Sequence, residues 1–515
     1  MANYTLTDGD DVFPEGDEPT QGDDFILALD GSDSIDPGDG ANTVYGGDGH
    51  DTVHTYSTQD QVFYGELGDD RLSSYGGDDY LDGGAGRDVL SSYGGADSIF
   101  GGADLDWIFV NYYSLPDPGY SIVDGGDGDD DIDIRDATAQ VQAGAGDDLV
   151  TILMHNQTGL EASVVNGGAG QDRLILEYVV DYVEFPRQVA RIECAPTASG
   201  FETWVDGVLQ LRAISVEFLH LTLMADYVAV TGSAGNDGIT VQGTVDGAEV
   251  NAGDGDDYVA VFGLSDGHAF TGTYHLDGGA GSNRLDLDGA GGAIFLDARP
   301  GAGLFGLDGF GMGSVANFKF YQIQTRGGND TLFLGKNHDS ITEATDDASG
   351  NDYFSMGKGS DFAYSKAGND TLIGEAGDDY LFGGAGADTI RGGTGTDIME
   401  GGSANDVFVF RTLGDSGTVS GEIDRIDLFS FDAAGFGSID RIDISKIDAI
   451  AGTDANDAFV FIGTAAFTAE GQVRVEQESG ESFVWLNTTG SGGAEMKIWL
   501  STFDADLLTA EQFIL

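Results

Sequence analysis

From Asp24 to Ile108 the chain sets down an acid or amide, any residue, and then an apolar residue at a nine-residue interval. The run reads Asp24-Phe25-Ile26, Asp33-Ser34-Ile35, Asn42-Thr43-Val44, Asp51-Thr52-Val53 and Asp60-Gln61-Val62. After a one-residue slip come Asp70-Arg71-Leu72, Asp79-Tyr80-Leu81, Asp88-Val89-Leu90, Asp97-Ser98-Ile99 and Asp106-Trp107-Ile108. Glycines crowd before the acid, as in Gly83-Gly84-Ala85-Gly86-Arg87-Asp88. A unit this short cannot bury an apolar face alone, so a regular period specifies a coil of stacked turns. The apolar residue of each triplet is predicted to point inward from a short strand while its neighbours point outward.

Two nine-residue half-turns make an eighteen-residue coil, so alternate repeats share an edge. The longer beat is visible: Ser73-Ser74-Tyr75-Gly76-Gly77-Asp78-Asp79 returns as Ser91-Ser92-Tyr93-Gly94-Gly95-Ala96-Asp97, and Tyr56 lies in the same phase. This predicts unlike edges, one with Asp51, Asp70, Asp88 and Asp106 in glycine turns, the other stacking Tyr56, Tyr75 and Tyr93. The alternative puts metal on both edges and leaves the tyrosines as solvated turn residues. Glycine tolerates positive φ and lets carbonyl oxygens crowd towards one point. Carbonyls plus an aspartate make a hard, all-oxygen shell that suits Ca²⁺ better than the stricter Mg²⁺. Further copies place Asp130, Asp148 and Asp172 in the same role.

A second block is sharper. It runs Gly368-Asn369-Asp370, Gly377-Asp378-Asp379, Gly383-Gly384-Ala385-Gly386-Ala387-Asp388, Gly392-Gly393-Thr394-Gly395-Thr396-Asp397 and Gly401-Gly402-Ser403-Ala404-Asn405-Asp406. If edges alternate, Asp370, Asp388 and Asp406 line one side and Asp379 and Asp397 the other. The pattern G-G-x-G-x-D-x-U-x resembles that of RTX proteins, the hemolysin-type calcium-binding repeats. The resemblance implies an all-β parallel β-roll or β-solenoid that holds several Ca²⁺ ions at these aspartates and at Gly383, Gly384, Gly386, Gly392, Gly393 and Gly395. The tail from Asp406 to Leu515, with Asp406-Val407-Phe408-Val409-Phe410 and Ile439-Asp440-Arg441-Ile442-Asp443, resembles the serralysin-type C-terminal secretion domain. That implies a β-rich export module ending in Glu511-Gln512-Phe513-Ile514-Leu515, read by a type I secretion machinery of a Gram-negative bacterium. The protease signature H-E-x-x-H of that family does not occur, because no His-Glu pair exists in the chain.

Composition narrows the partners. Ninety acids against 21 Lys and Arg give a net charge of −69 over 515 residues. Phosphate recognition needs cations, so nucleic acid is excluded as a partner, and attraction to anionic membrane surfaces is disfavoured. The metal-free chain repels itself out of compactness. Calcium removes that repulsion, which makes binding and folding one event. Extracellular calcium modules bind at about 10⁻⁴–10⁻³ M, so such a chain stays threadable in a calcium-poor cytosol and folds outside. The start, from Met1-Ala2-Asn3-Tyr4, lacks a basic region followed by an apolar core. No apolar stretch is long enough to span a membrane. Cys194 is the only cysteine, so no intrachain disulfide forms.

The expected organisation is an N-terminal β-roll with interrupting loops over 1–174, a β-rich degenerate solenoid or separate β domain over 175–325, a C-terminal roll over 326–410 and the export module over 411–515. Asn283 replaces the ligand aspartate in Gly278-Gly279-Ala280-Gly281-Ser282-Asn283, which should weaken calcium there. No catalytic constellation emerges. Gly263-Leu264-Ser265-Asp266-Gly267 has the letters of a nucleophile elbow, but the following Ala269-Phe270-Thr271 reads as strand where the elbow needs a helix. Gly309-Phe310-Gly311-Met312-Gly313 lacks the context of a nucleotide loop. His50 and His54 lack companions for a zinc set. The expected function is a secreted, structural or adhesive calcium-binding protein at a cell surface or polysaccharide matrix. The alternative is a polysaccharide lyase or epimerase with a groove around Arg187, Trp204 and Arg212.

Overall fold

A computed structural model describes residues 2–13, 22–111, 119–155, 162–179, 191–197, 200–206, 208–214, 218–225, 227–242, 247–262, 273–288, 294–299, 302–307, 310–325, 328–343, 350–429, 439–452, 456–490, 492–501 and 507–515. They fall into two compact units, Met1–Val259 with Gly279–Gly281, and Ala260–Gly278 with Ser282–Leu515. The fold is all-β, a parallel β-solenoid. Among the described residues there is no α-helix, and a 3-10 turn spans Ala510–Gln512.

In the first unit the strands of the coil pair in parallel with the strand one coil later. Arg71–Tyr75 lies on Val89–Tyr93 with Leu72 opposite Leu90, and Tyr80–Ala85 lies on Ser98–Ala103 with Leu81 opposite Ile99. Successive strands alternate between two sheets, whose inner faces carry the third residue of every triplet. Val44, Val53, Leu72, Leu81, Leu90, Ile99 and Ile108 are all at most 1% exposed. One strand buries little, but a column of them is a continuous core, and that stacking holds each turn in place.

The structure corrects one register. The triplet Asp60-Gln61-Val62 is displaced by one: Phe63, not Val62, is fully buried, and the Gln61 N–H donates to Asp79 Oδ1 at 2.8 Å. The slip therefore falls before Gln61. Phenylalanine fills the core column better than valine, and an amide side chain still serves in the ladder described below.

Turns of unequal length keep the stack in register. Ile108 lies opposite Ile132 although their turn contains six extra residues. Arg173–Val179 pairs in parallel with Phe218–Met224, and that strand with Gly238–Gln242. Beside them Arg191–Thr197, Gly200–Val205 and Val208–Ile214 form an antiparallel excursion.

The second unit repeats the scheme. Thr371–Ala376 pairs with Thr389–Thr394 and Tyr380–Ala385 with Ile398–Ser403, all parallel. Leu332, Ile341, Phe354, Leu372, Leu381, Ile390, Met399 and Phe408 are 0% exposed. Its last strands depart from the coil: Gln472–Glu478, Glu481–Asn487 and Met496–Leu500 run antiparallel, and the third joins Asp424–Asp427 in parallel. The terminus docks as well, Phe513–Ile514 lying parallel to Arg441–Asp443, with Phe513 stacked on Phe461 at 5.0 Å.

Leu381→Ala removes a core side chain between two others of its column. It should cost about 2–5 kcal/mol, read as a lower midpoint in guanidinium unfolding of the calcium-saturated protein.

Candidate metal centres

The triplet aspartates form columns, and each carboxylate is split between two tasks. Oδ1 takes the backbone N–H of the aspartate one coil earlier. In the first unit the Asp51 N–H donates to Asp70 Oδ1 at 2.7 Å, Asp70 to Asp88 at 2.7 Å, and Asp88 to Asp106 at 2.9 Å. The column continues from Asp106 to Asp130 at 2.8 Å, Asp130 to Asp148 at 2.9 Å, and Asp148 to Asp172 at 3.1 Å. In the second unit Asp370 donates to Asp388 and Asp388 to Asp406, both at 2.9 Å. A separate column takes Asp361 to Asp379 at 2.9 Å and Asp379 to Asp397 at 3.0 Å. Asp370, Asp388 and Asp406 thus share one edge, and Asp379 and Asp397 the other.

Oδ2 faces the opposite way. In Asp51, Asp70, Asp88, Asp106, Asp388 and Asp397 it is buried without a hydrogen-bond partner. It points at the first glycine of its own turn. A Cβ on Gly65 would collide with Asp70 Oδ2 and with the Gly83 carbonyl oxygen; one on Gly83 would meet Asp88 Oδ2 and the Gly101 oxygen. Gly374 and Gly383 stand in the same way to Asp379 and Asp388, with the carbonyls of Gly392 and Gly401, and Gly392 to Asp397. Glycine is required because the space beside its Cα is the cradle. The glycines at the second and fourth positions of the turn are required for another reason. Gly384 at φ +109° and Gly386 at φ +133° turn the chain tightly against the carbonyls of Lys366 and Gly368, and Gly393 and Gly395 do so against Glu375 and Gly377.

Orphaned carboxylate oxygens converging with carbonyl oxygens form a hard donor set of the kind Ca²⁺ takes. No group of three or more His, Cys, Asp or Glu side chains among the described residues could hold an ion, so most ligands of an ion here would be backbone oxygens. Sequence reasoning placed Asp33 in the repeat but gave it no metal role, and missed Asp339 and Asp424: Asp33 donates to Asp51 Oδ1 at 2.7 Å, Asp339 donates to Asp361 at 2.7 Å, and Asp424 accepts from Asp397 at 2.9 Å. Their turns lack the full glycine pattern, but each acid still precedes an inward apolar residue by two.

The other edge of the first unit is built differently. Five residues before Asp97 stands Ser92, whose hydroxyl donates to Asp97 Oδ2. The hydroxyl occupies the cradle that glycine leaves open elsewhere. Tyr56 packs on Tyr75 at 5.0 Å, and Tyr75 stacks on Tyr93 at 4.5 Å with rings 17° apart. A second ladder went unread in the sequence: Tyr45 stacks on Tyr64 at 4.6 Å, Tyr64 meets Tyr80 at 5.4 Å, and Tyr80 meets Phe100 at 5.3 Å. At Asn283 the side-chain amide donates to the carbonyls of Gly278 and Asn317, placing a donor where an ion needs an acceptor.

The metal-free carboxylates are uncomfortable as anions. Burial pushes Asp51, Asp70, Asp88, Asp130, Asp148, Asp370 and Asp379 up to about 6, with neighbouring aspartates adding to the rise in most of them. Asp388 and Asp397 reach about 7 and Asp106 about 8, for the same reasons. A carboxyl whose folded value exceeds its unfolded value of 3.8 favours the fold while protonated. That stability is present below the unfolded value and is lost as pH rises through the folded one. In chelator, β-structure followed by circular dichroism should therefore decline between roughly pH 4 and pH 7. Saturating calcium should reverse the trend, because protons compete with the ion for Oδ2. Gly383→Ala provides a separate check: Gly383 does not occupy positive φ, so the added methyl should obstruct one cradle and lower calcium stoichiometry in isothermal titration while the coil persists.

Other candidates from the sequence fall away from these columns. His50 accepts the Asp69 N–H at 2.8 Å, and the His54 ring packs edge-on to Tyr56 at 6.1 Å. Arg212 is paired with Glu202 at 2.8 Å, Trp204 lies on the adjacent antiparallel strand, and Arg187 lies outside the described residues. So do Ser265 and the rest of its glycine-flanked motif, and Gly309.

The class defined by fold and columns is a parallel β-roll with aspartate-glycine turns. The family model for the RTX calcium-binding nonapeptide repeat (4 copies) matches residues 19–53, 57–90, 84–111, 322–342, 356–390 and 374–408, which supports an RTX repeat protein. No curated protein matches the chain. Two solved structures are similar. The R3 subunit of AlgE6, a mannuronan C5-epimerase of Azotobacter vinelandii, is 20% identical over 37% of this chain and 80% of its own, with a TM-score of 0.18. The extracellular lipase LipA of Serratia marcescens is 16% identical over 67% of this chain and 45% of its own, with a TM-score of 0.17.

Proposed function

We propose that this is a calcium-binding RTX protein that folds on meeting extracellular Ca²⁺ and serves a structural or adhesive role at a cell surface or polysaccharide matrix. One observation carries the reading: a row of buried Oδ2 atoms without hydrogen-bond partners, most of them facing a glycine cradle, with Ala143 and Ser365 in the glycine position at Asp148 and Asp370. Leaving such a polar atom buried and unmatched is costly, and here the cost recurs once per coil. A divalent cation removes it and also offsets part of the −69 charge. The ligands in this reading are Asp51, Asp70, Asp88, Asp106, Asp130, Asp148, Asp172, Asp370, Asp379, Asp388, Asp397 and Asp406, with the carbonyls of the glycine turns. Residues 1–174 and 326–410 are then the calcium rolls. Residues 411–515 are the module addressed to a type I exporter of a Gram-negative cell, a reading supported by the serralysin-like run from Asp406 to Phe410. No helix among the described residues is long and apolar enough to cross a membrane.

Circular dichroism during a calcium titration of the chelated chain tests the reading. A cooperative coil-to-β transition is expected, with a midpoint of about 10⁻⁴–10⁻³ M. A β spectrum that is the same in chelator and in calcium would overturn it. Asp388→Ala and Asp397→Ala should each shift the midpoint to higher calcium, whereas Asn283→Ala should move it little.

A further inference from the structure

The columns account for the turns, but not for the outward side chains of one sheet in the second unit. There Ser340, Phe362, Tyr380 and Ile398 lie opposite one another on successive strands, and beside them Thr342, Tyr364, Phe382 and Glu400. Four aromatic rings therefore occupy two adjoining turns of an outward face that borders the metal edges, Asp339 and Asp361 lining the depression on one side and Gly384 and Gly402 that on the other. Phe362 is 37% exposed, Tyr364 38% and Tyr380 47%.

Phe362 and Phe382 are tilted by 43° at 5.7 Å, and Tyr364 meets Phe382 at 79° and 6.3 Å, much as Tyr64 and Tyr80 of the first unit are tilted by 48°. With three of the four rings more than a third exposed, their apolar surface is available to a ligand. Two depressions of about 470 and 500 Å³ adjoin them, with Phe362 on the rim of both. That is the size range of small-ligand sites. Polar groups interleave with the rings: Gln322, Ser340 and Asp378 around the first depression, Lys366 and Glu400 around the second. Lys366 and Glu400 have no ion-pair partner among the described residues.

We propose that this face binds an uncharged polysaccharide chain. Its sugar rings lay their C–H faces on Phe362, Tyr364, Tyr380 and Phe382 while hydroxyl groups reach Ser340, Glu400 and Asp378. The ring pairs Phe362 with Tyr364 and Tyr380 with Phe382 lie on neighbouring strands, about 4.8 Å apart, so the platform takes one or two successive sugar rings of a polymer. Alternation of rings with hydrogen-bonding groups suits a ligand that is polar at its rim and apolar on its faces. Charge selects among polymers and partners. With 90 acids against 21 basic residues, the chain repels an anionic polysaccharide, and equally a second copy of itself. The face exists only in the folded coil, so the proposal rests on the calcium reading above.

Native affinity electrophoresis of the full chain in millimolar calcium tests it, with hydroxyethylcellulose, galactomannan or dextran cast in the gel and carboxymethylcellulose as the anionic counterpart. At least one neutral polymer should retard the protein more than carboxymethylcellulose does. The double variant Tyr364→Ala/Tyr380→Ala should lose at least fivefold in affinity, and Tyr56→Ala, an exposed ring in the other unit, should lose none. Absence of retardation by all three neutral polymers, equal retardation of the double variant, or stronger retardation by carboxymethylcellulose overturns the proposal. Circular dichroism of each variant in the same buffer reports the fold separately. A chain that is β-structured without calcium and still loses retardation on substitution would overturn the calcium reading alone.

Discussion

Everything in this molecule depends on how one carboxylate divides its two oxygens. Oδ1 closes a hydrogen bond to the turn before it, as Asp88 does for Asp70 at 2.7 Å, and so fixes where each turn sits on the last. Oδ2 is held inside with nothing in the protein to satisfy it. The first oxygen builds the stack, and the second is left as an acceptor facing the glycine turn.

The edge of the first unit that carries Tyr75 and Tyr93 shows how little separates an open cradle from a closed one. A serine at the glycine position supplies a hydroxyl to Asp97 and closes the cradle, and the stacked Tyr75 and Tyr93 add cohesion to that edge. Asn283 reaches a similar end by turning an acceptor into a donor. The serine leaves the strand pairing regular, whereas beside Asn283 the register against the next strand shifts by one residue. Asp79 on the same edge as Asp97 keeps an unpartnered Oδ2, so closed and open cradles stand side by side in one fold.

Much of this was legible in the sequence because it is periodic. The nine-residue beat located the strands, the inward residues and the two columns around Asp370 to Asp406. It failed where two residues competed for one position: Asp60 and Gln61 both suit a column, and only the bulk of Phe63 decided between them. The ladder from Tyr45 to Phe100 was invisible because its members occupy different repeat positions and meet partly on the diagonal, Tyr64 lying opposite Asp82 rather than Tyr80. The antiparallel strands around Thr203 and Phe305 alternate in polarity just as parallel ones do, so pattern alone could not give their direction. The exposed rings around Phe382 required the folded surface, which no sequence carries.

The bond from one aspartate to the next counts columns, not residues. Its span is 18 residues from Asp70 to Asp88, 24 from Asp106 to Asp130, 27 from Asp397 to Asp424 and 34 from Asp406 to Asp440, with lengths of only 2.7–3.0 Å. Register is thus indifferent to what the chain does between two acids, and a closed loop grows at an entropic cost that rises only slowly with length. Such a coil acts as a spool. New segments can be wound in at an edge during descent, and each is delivered to the outside of an unchanged axle.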